Sequence, residues 1–322
     1  MATLDDIRKK LKEMESRKGG QTRNSDEPSL TYPFWNIPAE KGATVRFLPD
    51  KDSTNSFFWR ERQIINLTFS GIKGHDEHKP VTVKVPCVEM WGDTCPILKE
   101  TRPWWNDPSL VETARKYWKK RSYMFQALII EDPLNEKPLE NPIRRLIIGP
   151  QIFNIIKSAL LDPDMENMPT DYVNGTNFTI LRTKKGEYND FSTSKYARKE
   201  SALSEEHLEA IEKHGLFNLN DWLPARPDAQ AMNSIQEMFE ASVNGDMYDP
   251  DRWASHYRPY GFEFAGAANT KGTAVEADAD DHAVTPAVKV SAPAPKPAVT
   301  TTEEPKKDVN DILAKIRNRA TQ

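Results

Sequence analysis

The stretch Arg115-Lys116-Tyr117-Trp118-Lys119-Lys120-Arg121-Ser122-Tyr123-Met124-Phe125-Gln126-Ala127-Leu128-Ile129-Ile130 passes from a charged, aromatic half into an apolar half. Its second half, from Met124 to Ile130, is a short apolar run of strand length. Similar runs occur on both sides, at Thr44 to Leu48, Gln63 to Phe69, Val81 to Val85, Ile143 to Ile148 and Asn177 to Leu181, with turn chemistry between them. One helix interrupts the series at 150–161, where Ile152, Ile155, Ile156, Ala159 and Leu160 repeat at helical spacing after Pro150. Strands outnumber helices and do not alternate with them. The spacing therefore predicts a β-rich α+β core over residues 31–200, a small barrel with inserted helices and large loops, in preference to a parallel βαβ sheet.

Outward from this core, residues 1–30 read as an arm. Leu4, Ile7, Leu11 and Met14 form one apolar stripe behind a Thr3/Asp6 capping box, followed by a polar linker with paired glycines. Residues 201–265 carry two expected helices, 204–214 and 229–243, and complete the core. Residues 266–307 are dominated by Ala, Pro, Thr, Val and charges, which predicts a disordered linker. A short amphipathic segment closes the chain at 308–322, suited to partner contact.

Charge is unevenly distributed along these blocks. The net charge is +1 over residues 1–30, +3 over 31–200, −8 over 201–265 and 0 over 266–322. A basic front ahead of an acidic region suggests a polyanion partner for the front and self-shielding or a protein partner for the rear.

Composition excludes several classes. A mean hydropathy of −0.70 and the lack of any apolar run near 18 residues argue against a membrane span. The first residues lack the pattern of a secretory signal, so a cytoplasmic protein is expected. The two cysteines of the 322 residues cannot build a disulfide framework, and no Walker loop, H-E-x-x-H or G-x-S-x-G occurs. Asp132, Glu136, Asp162, Asp164 and Glu166 could in principle hold magnesium, but they stand beside Pro133 and Pro163 as turn residues do. No enzymatic activity is expected.

Two windows combine cations with aromatic rings. In Arg115 to Phe125, nine of eleven residues are basic or aromatic. Cations neutralise phosphates while flat rings stack on unpaired bases of any identity, which together suit sequence-tolerant single-strand binding. A second window holds Lys184, Lys185, Tyr188, Phe191, Lys195, Tyr196, Arg198 and Lys199. The candidate contacts are Arg115, Lys116, Lys119, Lys120, Arg121, Tyr123, Phe125, Lys184, Lys185, Tyr188, Phe191 and Lys195, expected to share one groove. A plainer reading stays open for each window: a helix end followed by an amphipathic strand with core aromatics and solvated lysines, and a hairpin whose rings fold back under it.

The order of short motifs resembles that of the T-even-type bacteriophage single-stranded DNA-binding proteins, the helix-destabilising proteins of phage replication. The match runs from Thr44-Val45-Arg46-Phe47-Leu48-Pro49 through Cys87 and Thr94-Cys95-Pro96. It continues with Tyr123 leading into Ala127-Leu128-Ile129-Ile130-Glu131-Asp132-Pro133, then Gly175-Thr176-Asn177-Phe178 and Ser194-Lys195-Tyr196. The resemblance implies an OB-fold core whose cleft holds single-stranded DNA during replication, recombination and repair. It places the family's basic-aromatic strand on Lys119, Lys120, Arg121 and Tyr123, and its aromatic loop on Tyr188 and Phe191. Met124 stands where the family has an aromatic residue, which would move one stacking platform to Phe125. It further implies cooperative self-association through the N-terminal arm and replication partners for the C-terminal region.

The resemblance also implies a structural zinc held by one histidine and three cysteines, but here Leu98 replaces the third cysteine. Cys87 and Cys95 keep two ligand places, and His75 and His78 precede them closely enough to propose a tetrahedral set. The alternative is a loop packed around Trp91, with the cysteines as small buried groups. An acidic adaptor of the replication machinery and an RNA-binding protein are the competing functional readings, since stacking and phosphate contacts serve both nucleic acids.

Overall fold

The computed structural model describes residues 29–74, 79–186, 188–259 and 262. The expected arm, tail linker and terminal segment thus lie outside the described residues, apart from Ser29 and Leu30. The expected strands form, β5 Ile143–Ile148 with the bounds read from sequence and the others longer: β1 Lys41–Phe47, β2 Arg60–Phe69, β3 Val81–Pro86, β4 Lys120–Glu131 and β6 Phe178–Lys185. Two short ones, β7 Tyr188–Asp190 and β8 Lys195–Tyr196, were not expected. The fold is mixed α+β, and its eight strands are linked in the order β3-β2-β4-β1-β6-β7, with β5 on β4 and β8 on β6. This path is open, not closed into a barrel. No described helix is long and apolar enough to cross a membrane.

The chain divides into two interleaved units. The first takes the described residues through Trp59, then Phe125–Ile147 and Gln151–Asn218; the second takes Arg60–Met124, Ile148–Pro150 and the described residues from Leu219. The described residues of the acidic block 201–265 are shared between the two units, because what a helix buries against, not its charge, decides where it belongs.

In the first unit, β1 lies between β4 and β6, pairing Phe47 with Ala127 and Val45 with Phe178. Period-2 alternation sends Ala43, Val45 and Phe47 inward. The Phe47 ring lies 4.9 Å from Phe125 and 5.6 Å from Phe178, giving an aromatic centre. The motifs that carry the resemblance meet at Arg46, which is almost fully buried. Its guanidinium donates to Asn177 Oδ1 at 2.8 Å, to the Asp171 carbonyl at 3.0 Å and to the Ser201 carbonyl at 2.6 Å. Gly175 allows this approach, since a Cβ there would sit 2.1 Å from the Asp171 carbonyl and 2.8 Å from Arg46 Nη1.

In the second unit, β2 pairs with β3 and with the first half of β4. Two short helices appear here, α1 Pro96–Thr101 and α2 Val111–Lys116, each under two turns and too short to show a helical period; only the end of α2 is open in the sequence, as the alternative for the first window. The expected helices α3 Pro150–Leu160 and α4 Glu205–His214 form in the first unit, apart from Pro150, and α5 Ala229–Asn244 forms in the second. Asp228 caps α5 by accepting the Ala231 N–H at 2.8 Å, and Gly245 ends it in the left-handed region at φ 78°. The buried stripe Ile235, Met238, Phe239 packs into a cluster with Leu67, Val83, Val85 and Trp104. Within it, Tyr117 Oη and Ser242 Oγ are 3.1 Å apart, and Ser242 Oγ donates to the Thr68 carbonyl at 2.7 Å.

Candidate nucleic-acid interface

The two basic-aromatic windows fall in different units, and each is described by itself. In the second unit, α2 ends on Tyr117, which is buried against Phe239 with ring centroids 5.3 Å apart. Lys116 is exposed, its ammonium 5.2 Å from the centroid of the Tyr117 ring. Arg115 is exposed and bridges to Glu112 at 2.8 Å. Lys119 departs from the expectation: its side chain is 11% exposed and its ammonium sits 2.6 Å from Glu89. Burial pushes the Glu89 carboxyl up, but Lys119 and Arg102 outweigh it and hold the group below the ordinary carboxylate range. Lys119 is thus already neutralised, and taking it to a phosphate would break this half-buried pair and leave Glu89 to Arg102.

Lys120 and Arg121 begin β4 and are both exposed, with Arg121 Nε 3.5 Å from Glu61 Oε1. Beyond them the strand enters the core. Tyr123 is only 7% exposed, and its hydroxyl is pushed up by burial and by Glu61. Phe125, in the first unit, is completely buried against Phe47, Phe58 and Trp59. Neither ring presents a face to a base, so both are corrected to core residues. From Ser122 to Leu128 the strand is buried on both faces, so a ring on either face lies inside.

In the first unit, β6 and β7 form a hairpin that turns through Gly186 at φ 67°. Its register pairs Lys185 with Tyr188 and Lys184 with Asn189. Directly paired side chains share a face, so Tyr188 stands beside the Lys185 stem. Tyr188 is 44% exposed, and Lys184, Lys185 and Lys195 are exposed as well. Phe191 is corrected to a core role: it is 4% exposed and meets Phe34 edge-on at 5.5 Å. Its backbone N–H donates to Gln151 Oε1 at 3.1 Å. Asp190, bonded by Ser192 and Gln151, is held below the usual aspartate range by those bonds and by nearby Lys185. So one ring of this window folds under the hairpin while the other stays out.

Two exposed aromatic groups escaped the sequence reading. Trp105 is 38% exposed and meets half-buried Trp118 edge-on at 5.5 Å, in the same unit as Lys116 and Lys120. Phe57, in the first unit, is 57% exposed. The signal was present as adjacent aromatics, Trp104-Trp105 and Phe57-Phe58-Trp59. Trp104 and Phe58 are buried, and a neighbour of a buried residue is commonly turned outward.

Of the proposed zinc ligands, His75 and His78 lie outside the described residues. Cys87 and Cys95 are both buried free thiols, hydrogen-bonded to each other. The bond from Cys87, with help from the Ile97 and Leu98 backbone N–H groups, favours the Cys95 thiolate, while the same pairing pushes the Cys87 thiol up. Two adjoining sulfurs of this kind fit half of a tetrahedral site. Leu98 is fully buried in the same cluster, against which Trp91 also packs, so this position beside the two thiols holds an apolar side chain. No group of three potential ligands occurs among the described residues.

Of the carboxylates weighed for metal-assisted cleavage, Glu136 pairs with Arg144 at 2.7 Å, while Asp132 and Asp162 serve turns. Asp132 accepts from Tyr32 Oη at 2.7 Å and from the Leu134 and Glu136 N–H groups at 2.9 Å each. Asp162 accepts from the Asp164 N–H at 3.0 Å. No family model and no curated protein matches the chain.

Proposed function

We propose that this protein binds single-stranded DNA without sequence preference, as a cooperative coat for DNA in replication, recombination and repair. The observation that carries the reading is the β6–β7 hairpin, where an exposed tyrosine stands beside exposed lysines on a two-stranded ribbon. A ring face next to cations is what an unpaired base and its phosphate require together. The second unit supports the same reading with exposed Trp105, Lys116, Lys120 and Arg121. The order of motifs adds support for an OB-fold-like core of the phage family, with residues 1–30 contacting a neighbouring copy and the C-terminal region contacting replication proteins. A zinc ion on His75, His78, Cys87 and Cys95 belongs to the same proposal.

Fluorescence anisotropy with labelled oligo(dT), the matching RNA and a duplex, at several salt concentrations, tests it. Single strands should bind far better than duplex, with a slope of log K against log salt of about −0.7 per phosphate neutralised. Tyr188→Ala should cost about 1–3 kcal/mol. Equal affinity for duplex, or a flat salt response, overturns the proposal, and a preference for RNA reassigns the ligand.

A further inference from the structure

The loop between β1 and β2 holds Phe57 out in solvent and braces it there. Asn55 organises the loop: its Nδ2 donates to Asp50 Oδ2 at 2.8 Å and to the Trp59 carbonyl at 3.2 Å, and its Oδ1 accepts the Phe57 N–H at 3.2 Å. Asp52 accepts from the Thr54 N–H at 3.0 Å and hydroxyl at 2.6 Å. The Phe57 ring leans on Trp59, with centroids 4.7 Å apart and planes 32° from parallel. Trp59 is itself fixed, edge-on to Phe153 at 5.4 Å and tilted on Phe125 at 5.9 Å. A chain of rings therefore runs from the core to an exposed face.

We propose that Phe57, backed by Trp59, is a stacking site for one base of a single strand, and that it contacts the base without a phosphate. The inference rests on the single-strand reading and adds a site that the basic-aromatic windows do not contain. The surroundings decide the chemistry of the occupant. Ser53, Thr54 and Ser56 are exposed and polar, so Phe57 does not belong to a continuous apolar patch of the kind that a protein partner covers. One isolated, immobilised ring suits a flat π ligand, which loses little by binding to a single face. The local charge is unsuited to phosphate, since Asp50 and Asp52 flank Lys51.

The test uses the full chain and oligo(dT), with affinities read across a salt series. Phe57→Ala should weaken binding by about 5- to 150-fold, the range for losing one base stack, while leaving the salt slope unchanged. Phe57→Trp should retain affinity, and Phe57→Leu, apolar but not flat, should behave like the alanine variant. Photocrosslinking to an oligonucleotide bearing 5-iododeoxyuridine should label the tryptic peptide Asp52 to Arg60, which follows Lys51. Wild-type binding with an unaffected Phe57→Ala variant overturns this inference alone. So does retention by Phe57→Leu, or a shallower slope in Phe57→Ala. If the wild-type chain binds no single strands, the single-strand reading fails and the inference fails with it.

Discussion

Replacing Arg46 by leucine should unfold the first unit well before it alters any contact with nucleic acid. An exposed arginine in a single-strand-binding protein could meet a phosphate, yet the guanidinium of Arg46 is spent inside the protein. It donates to Asn177 Oδ1, to the carbonyls of Asp171 and Ser201, and to Ser201 Oγ at 2.8 Å. Burial lowers its pKa, partly opposed by Asp171, which is the behaviour of a cation held away from water. Leucine would leave these acceptors without a donor. Asp171 and Ser201 are exposed and can turn to water, whereas Asn177 is half-buried. A cost of about 1.5–3 kcal/mol follows for removing the charged donor of this network, since it leaves neutral acceptors and no unpaired charge. At about 2–4 °C per kcal/mol for a chain of this class, melting should fall by roughly 3–12 °C. Circular dichroism melting of Arg46→Leu and Arg46→Lys reads this directly, with lysine intermediate because one ammonium cannot reproduce the fork. Melting within about 2 °C of wild type, together with lost oligonucleotide affinity, would refute the reasoning and make Arg46 a ligand contact.

Glu89 gives a pH-dependent counterpart. Its folded pKa lies below the unfolded value of about 4.3, so its contribution is present above that pH and is lost as pH falls through the folded pKa. Glu89→Gln should therefore lower stability at neutral pH and flatten the acid limb of a melting-temperature profile; an unchanged limb would remove Lys119 and Arg102 as its cause. For zinc, chelation should lower the melting temperature and Cys95→Ser should abolish bound metal, since ligand binding energy is folding energy. A metal stoichiometry near zero with unchanged melting would leave Cys87 and Cys95 as a packed thiol pair beside Leu98. Deleting residues 1–23, which carry seven basic side chains, should convert cooperative coating into independent binding with little change in intrinsic affinity. Unchanged cooperativity would place that contact elsewhere.

The strands were legible because burial on one face writes a period of two into the sequence, as in Ala43, Val45 and Phe47. Helices α3, α4 and α5 were legible from their caps and stripes. The short helices α1 and α2 were not, the end of α2 apart, and neither was β7, whose three residues carry no period. The division into units was hidden for a different reason: β4 runs through both, so no break in composition marks it. At the candidate interface, cations and rings were countable, but their directions were not. Tyr123, Phe125 and Phe191 have the composition of stacking platforms and the burial of core residues. Trp105 and Phe57 lie outside the basic windows, yet reach solvent as Tyr188 does.

The same distinction sets the size of the electrostatic response. Counting cations from sequence alone would enter eight, namely Arg115, Lys116, Lys119, Lys120, Arg121, Lys184, Lys185 and Lys195. Lys119 leaves the count because its partner Glu89 is half-buried and held ionised. Arg115 and Arg121 stay conditional: both are more than half exposed, and pairs like theirs to Glu112 and Glu61 are worth about 0–1 kcal/mol, so a phosphate can replace the carboxylate. At about 0.7 per neutralised phosphate on a single strand, the three lysines of the first unit contribute about −2.1 to the slope. In the second unit, Lys116 and Lys120 contribute about −1.4, rising to about −2.8 with both arginines. A protein using both surfaces should thus show a slope between about −3.5 and −4.9, and Lys184→Ala with Lys185→Ala should reduce its magnitude by about 1.4. A wild-type slope near −2.1 would mean that the first unit alone meets phosphates. One steeper than about −5.5 would mean that Lys119 or residues outside the described chain join them.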